Sequence, residues 1–339
     1  MSWFSGYRED GAVKVTLTMI VVSFLVLIMV AELCAEEPVQ LARIVPKGSE
    51  MVQANVGTKF GFTEGPCWDG KDTLYFSDIE NKRIMKLLPD GSFSVFREPS
   101  DEANGLMFNA EGNLVSCDGG ARRVTVLGHQ GTVIKVLADS YNGKKLNSPN
   151  DLVIDSKGGT YFTDPRFGSK EGVEQDKEAV YYLRPDGKLV RVVDDMVKPN
   201  GVILSPDEKV LCVGDSAAEY VRAYDIQPDG TVTNGRNFGR LRPRMRDGRE
   251  IPSGADGLAM DSEGDLYVAS STGIDVFDKT GTNLGVIKVP EMPANCTFGG
   301  ADMKTLFITA RTGLYKIQLA IPGVRFPLAR RTDVPAGRK

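Results

Sequence analysis

Asn147-Ser148-Pro149-Asn150-Asp151-Leu152, followed by Tyr161-Phe162-Thr163-Asp164-Pro165, decides how this chain is read. A polar, oxygen-bearing residue opens a short apolar run. A polar turn follows, and a strand-like run returns. The same unit occurs six times, opened by Glu64, Asn104, Asn150, Asn200, Asp256 and Asn295. The returning run starts at Leu74, Leu114, Thr160, Leu211, Leu266 and Leu306, 10 or 11 residues after its opener. Internal repetition of this kind sets the architecture before any single element does.

The runs are short and rich in Val, Ile, Leu, Phe and Tyr. Turn signals such as Pro89-Asp90-Gly91, Pro185-Asp186-Gly187 and Pro228-Asp229-Gly230 separate them, which argues for antiparallel sheet. Successive openers lie 39 to 56 residues apart. Four short strands fill about 40 residues, the size of one propeller blade. The expectation is an all-β, six-bladed propeller with four-stranded antiparallel blades over residues 59–320. A linear solenoid is the alternative, but no polar capping repeats are seen. Residues 36–58 form an N-terminal extension that carries a closing strand, and 321–339 form a C-terminal tail. A closed ring leaves no free sheet edge, and Leu41 to Val45 is the candidate closing strand, beside Gly313 to Leu319. The larger spacings reflect two insertions, Arg166 to Glu178 and Gly239 to Gly254, either a rim over a site or solvated loops.

Residues 1–35 read differently. Arg8 and Lys14 precede an apolar run from Val15 to Ala31, and Leu33-Cys34-Ala35 resembles a cleavage site. This predicts a signal peptide and a periplasmic or secreted domain. The alternative is an uncleaved membrane anchor with the domain outside the cytoplasm. Cys67, Cys117, Cys212 and Cys296 have no metal-binding spacing and are expected as buried thiols, with pairing left open.

In a propeller, equivalent residues of successive blades converge at the axis. The six openers would therefore form one ring of two carboxylates and four amides. Two ionised carboxylates at one buried spot repel, and a divalent cation removes that conflict. An all-oxygen donor set suits calcium first, with magnesium next and manganese or zinc as further alternatives. Glu64, Asn150, Asn200 and Asp256 are assigned to the metal. Asn104 is assigned to substrate, with Asn150 and Asn295 as further substrate contacts. The competing reading is that single openers only tie blade corners. Asp78, Asp118, Asp164 and Asp215 return to the openers' level as a supporting shell or as turn caps. Arg122 and Arg123 are rim contacts or a solvated pair.

Other chemistries find little support. The net charge is -4, and no basic stripe with interleaved aromatics is present, which argues against nucleic acid. The single histidine, His129, sits in a Gly-rich turn, which argues against a Ser-His-Asp relay or a histidine metal site. No phosphate-cradling loop precedes a helix, so no nucleotide is expected.

Phe62-Thr63-Glu64-Gly65-Pro66-Cys67-Trp68, Asn147-Ser148-Pro149-Asn150-Asp151, Phe162-Thr163-Asp164-Pro165, Pro199-Asn200-Gly201 and Ala255-Asp256-Gly257 resemble the gluconolactonase and regucalcin (senescence marker protein) family. The resemblance runs from about Val45 to Leu319. It implies a six-bladed propeller, one axial divalent metal and hydrolysis of a sugar lactone such as D-glucono-1,5-lactone. It carries metal ligation to Glu64, Asn200 and Asp256, and metal or substrate contact to Asn150. It makes Asp256 the general base. Ser148 stands where the regucalcin branch has a substrate-binding arginine, which points to the bacterial gluconolactonase-like branch. A phosphotriesterase-like hydrolase and a non-catalytic sugar-acid-binding propeller are the alternatives.

Overall fold

The structure, a computed structural model, describes residues 40–168 and 170–327. The proposed signal segment lies outside the described residues. Among the described residues there are six four-stranded antiparallel sheets, one per repeat; in five the strands follow sequence order, and the sixth takes its outer strand from the N-terminal side. Blade 1, for instance, runs Thr63–Trp68, Leu74–Asp78, Arg83–Leu87 and Phe93–Arg97. The first strands of the blades are Thr63–Trp68, Ala103–Phe108, Leu152–Ile154, Pro199–Leu204, Ala255–Met260 and Pro293–Gly299. Each packs against the first strand of the next blade, and the sixth packs against the first. These six strands therefore line the axis, and the ring is closed.

Closure is achieved by Val52–Gln53, which pairs with Gly313–Gln318 through Val52↔Lys316 and Gln53↔Tyr315 and completes blade 6. The expectation of a closing strand at Leu41 to Val45 is corrected: Leu41–Arg43 is a turn of 3-10 helix. Leu41 and Ile44, three residues apart, bury together against blades 5 and 6, beside Leu284 and Ile287. A short apolar run does not distinguish strand from helical turn. The true closing residues are both exposed, as an edge pair can be, so they carried little apolar signal.

Residues 320–327 run as a strap across the end of the channel remote from the openers. Gly323 N–H donates to Met303 O at 2.8 Å and Val324 N–H to Met260 O at 2.9 Å. Arg325 donates to Asp69 O at 2.8 Å, and Phe326 is buried in the core between blades 3 and 5. The apolar clusters lie between neighbouring blades, where each sheet face meets the next. The four described cysteines are buried and unpaired.

Candidate active site

The geometry of the site begins with the residue that follows each opener. In four blades it is glycine: Glu64-Gly65, Asn104-Gly105, Asn200-Gly201 and Asp256-Gly257. A Cβ on Gly65 would overlap the Asn104 carbonyl, and one on Gly257 would overlap the Asn295 amide. The missing side chain is what lets the next blade's opener reach the axis. The pairing register slips at the same point, for example between Glu64 and Cys67 and between Ala255 and Leu258. Such bulges re-aim side chains out of the regular alternation.

Contacts pass around the whole ring. Gly65 abuts Asn104, and Gly105 N–H donates to Asn150 O at 2.7 Å. The Val202 N–H meets the Asp151 carboxylate. The Asn200 amide reaches Asp256, and Gly257 abuts Asn295. The Asn295 amide faces both Glu64 and Asp151. All six openers thus meet at one end of the channel. Glu64, Asn150, Asn200 and Asn295 are buried, whereas Asn104 and Asp256 keep some open surface.

One axial acid went unrecognised in the sequence. In blade 3 the slot after the opener is Asp151, not glycine, and its buried carboxylate enters the channel beside Gly65 and Asn295. The signal was present: an acid occupies a position that four other repeats leave empty. Burial pushes Asp151 up to about 7, although the Leu152 N–H, at 2.9 Å, and the Asn295 amide both pull it down. Burial likewise raises Glu64, and Asp151 adds to the rise while the Gly65 N–H, at 2.9 Å, opposes it. Asp256 is raised well above the carboxylate range by burial, then by the charges of Glu64 and Asp151. Three carboxylates therefore share one enclosed space, and among the described residues no lysine or arginine is ion-paired with any of them.

This donor set fits a hard cation. Asn104 Oδ1 and Asp256 Oδ1 are both buried and, among the described residues, without a hydrogen-bond partner. Buried oxygens of this kind are free to accept a ligand. Among the described residues no three His, Cys, Asp or Glu side chains converge closely enough to form a metal cluster by themselves. The amide oxygens must therefore complete any shell, as oxygen-rich calcium sites allow.

The second acid of the repeat supports the openers from behind. Asp78 Oδ1 accepts from Gly61 N–H at 2.8 Å and Phe62 N–H at 3.3 Å. Asp164 accepts from Asn147 and Ser148 N–H at 2.7 and 2.8 Å, and Asp215 from Val197 and Lys198 N–H at 2.9 and 3.1 Å. In all three blades the carboxylate holds the backbone two and three residues before the opener. Burial pushes Asp164 up to about 7 despite these bonds. Asp118 departs from the pattern and is held by Arg97, Ser116 and Thr125 instead.

The remaining expectations sort cleanly. Arg123 pairs with Asp101 and Asp118, and Arg122 donates to Leu146 O and Gly172 O, so both serve the scaffold. Ser148 donates its hydroxyl to Gly119 O at 3.2 Å. His129 is an exposed turn residue at the remote end of blade 2. The Gly239–Gly254 insertion forms a hairpin, Arg244–Arg246 with Arg249–Ile251, and it leads directly into Asp256.

Comparison with known proteins follows the same residues. Residues 62–312 match the SMP-30/Gluconolactonase/LRE-like region family. A gluconolactonase of Zymomonas mobilis is 32% identical over 286 residues, which cover 78% of this chain and 80% of that protein. A solved gluconolactonase of Xanthomonas campestris superposes with a TM-score of 0.74 at 32% identity, covering 83% of this chain and 92% of the other. Regucalcin from Agrobacterium tumefaciens shares the fold at 19% identity and a TM-score of 0.67, over 80% of this chain and 95% of the other.

Proposed function

The chain belongs to the SMP-30/gluconolactonase/LRE-like family and is a lactone hydrolase, and from that premise we propose that it opens a sugar lactone to the aldonic acid with one divalent cation and Asp256 as general base. The observation that carries the metal and the base together is the unpartnered Oδ1 of Asp256, buried beside Glu64 and Asp151 with no ion-paired cation. Glu64, Asn150, Asn200 and Asp256 would hold the ion. Calcium is the first choice, because the donors are all oxygen and two of the four are neutral amides. When bound, such an ion polarises the lactone carbonyl and stabilises negative charge on its oxygen.

The chain's own residues supply the rest. Asp256, with an oxygen that no neighbour occupies, accepts the proton of the attacking water. Glu64 is held by the Gly65 N–H and the Asn295 amide, so its carboxylate is fixed and balances charge. Asn104, which keeps some open surface at the mouth, offers its amide to a sugar oxygen. The clamps from Asp164 and Asp215 keep Asn150 and Asn200 in register, which is the positioning that catalysis requires. The strap at Arg325 and Phe326 closes the far mouth, so substrate enters at the opener end.

A pH-drop assay with D-glucono-1,5-lactone and related aldonolactones, with and without added calcium, tests this reading. Calcium-stimulated acid release is expected. Hydrolysis of aryl phosphotriesters with no acid release from any lactone would overturn it.

A further inference from the structure

Several arginines packed beside the ring are held by acids or backbone carbonyls, and Arg311 differs from them. Arg83 binds Asp78, Arg97 binds Asp101 and Asp118, and Arg123 binds the same two acids. Arg122 is committed to backbone carbonyls and to Glu174. Arg311 has no carboxylate partner among the described residues. Among the described residues its guanidinium has one polar contact, Nη2 with the Met292 thioether at 3.6 Å, a poor acceptor.

Its placement is set by the fold. Arg311 occupies the turn between Thr305–Ala310 and Gly313–Gln318 in blade 6. Its carbonyl accepts from Thr63 N–H at 2.7 Å, immediately before Glu64. The guanidinium rests over the Phe62 ring, 5.5 Å from its centroid. A carboxylate in the neighbouring loop, Glu291, turns away: one oxygen takes Thr312 N–H and Oγ1 at 3.0 Å, the other takes Tyr315 OH at 2.8 Å. A flat cation is thus propped on an aromatic face at the mouth, with its hydrogen-bond donors left over. Its charge is felt by Asp256, whose carboxyl it pulls down slightly against the other influences.

From this geometry we propose that Arg311 is a substrate-binding residue that selects lactones carrying an anionic group, a carboxylate or a phosphate, on the part of the sugar remote from the carbonyl. A neutral sugar is already served by the four ring amides. A guanidinium fork adds what they lack, a bidentate, charge-assisted match to a planar carboxylate or a phosphate. The exposed Arg242, Arg244, Arg246 and Arg249 on the hairpin that leads into Asp256 add positive charge at the same end, which raises the local concentration of an anion.

The inference deepens the lactonase reading and rests on it, so the test separates the two. The wild-type protein and Arg311→Ala and Arg311→Lys variants are assayed with calcium on three lactones: glucono-1,5-lactone, a glucaric acid monolactone and 6-phosphogluconolactone. The ratio of kcat/KM on an anionic lactone to that on the neutral one is expected to fall about 10- to 100-fold in Arg311→Ala, mainly through KM. Arg311→Lys should recover part of it. Loss on the glucaric arm alone assigns the carboxylate, and loss on the phosphate arm alone assigns the phosphate. Hydrolysis of all three lactones with an unchanged ratio overturns the assignment. If no lactone is turned over, the parent reading falls. Calorimetric binding of glucarate against gluconate to the calcium-loaded protein then decides the role of Arg311: glucarate preference lost in Arg311→Ala sustains it, and equal binding by both proteins rejects it.

Discussion

Glu64 and Asp256, contributed by blades 1 and 5, oppose each other's ionisation across the channel axis, with Asp151 of blade 3 adding a third charge. Either protons or a cation must settle that conflict. Calcium is therefore expected to raise the melting temperature of the wild-type protein, since a ligand that binds only the folded state stabilises it. The shift should shrink in Glu64→Gln and in Asp256→Asn. Turnover in Asp256→Asn should fall roughly 100- to 10,000-fold, the range of general-base contributions. Calorimetric scans with and without calcium, beside the lactone assay, check both statements. Wild-type lactonase rates in Asp256→Asn would remove Asp256 from the base role, and an identical calcium shift in both variants would remove the shared ion.

Gly257 marks where blade 5 makes room for blade 6. A Cβ there would overlap the Asn295 amide, which in turn faces Glu64. Gly257→Ala is expected to lower stability by about 1–3 kcal/mol through overpacking, and to weaken the calcium-induced melting shift as Asn295 is displaced. Gly91→Ala is the matching control. Gly91 has open space around it and, unlike Gly257, a positive φ, of 83°. Its cost should be confined to backbone strain, with the calcium shift retained. Denaturant titrations with and without calcium measure both. Equal calcium shifts in the two variants would contradict the view that this glycine shapes the ring.

Asp261 provides a pH test away from the ring. It lies buried in the turn that the C-terminal strap crosses, and it accepts Glu263 and Asp265 N–H, both at 2.9 Å, and the Tyr267 hydroxyl at 3.1 Å. Burial, with the neighbouring Asp265 charge, pushes it up to about 6 despite those bonds. An unfolded aspartate titrates near 3.9. The folded state thus holds this proton more tightly, and that advantage is full below about pH 4 and is lost as pH rises through about 6. Asp261→Asn keeps a neutral side chain at every pH. Its stability relative to wild type should therefore increase by on the order of 2–3 kcal/mol between pH 4 and pH 7.5. Urea unfolding at both pH values reads the difference, and a flat or falling one would show that Asp261 titrates normally.

Much of the fold was legible because a propeller writes its symmetry into the chain. Six openers at similar spacing implied six blades and one axial ring, and the sheets bear this out. The second acids at Asp78, Asp164 and Asp215 were visible as a spacing, yet their work was not. That each grips the backbone two and three residues before an opener depends on where the returning strand ends, which is a matter of register. The closing strand was misplaced because Leu41 and Ile44 are the apolar residues there, and apolarity reports burial, not pairing.

The sequence by itself determined the repeat, its six polar openers and the sign of the charge they bring together, since those follow from which residue types recur at which period. Only the tertiary structure decided that Asp151 fills a gap that glycine leaves elsewhere, that Val52–Gln53 closes the ring, that 320–327 crosses one mouth, and that Arg311, at the other, has no carboxylate partner among the described residues. Each of these depends on which neighbour from another blade occupies the adjacent space, and a linear pattern does not encode contacts between distant blades until they are packed.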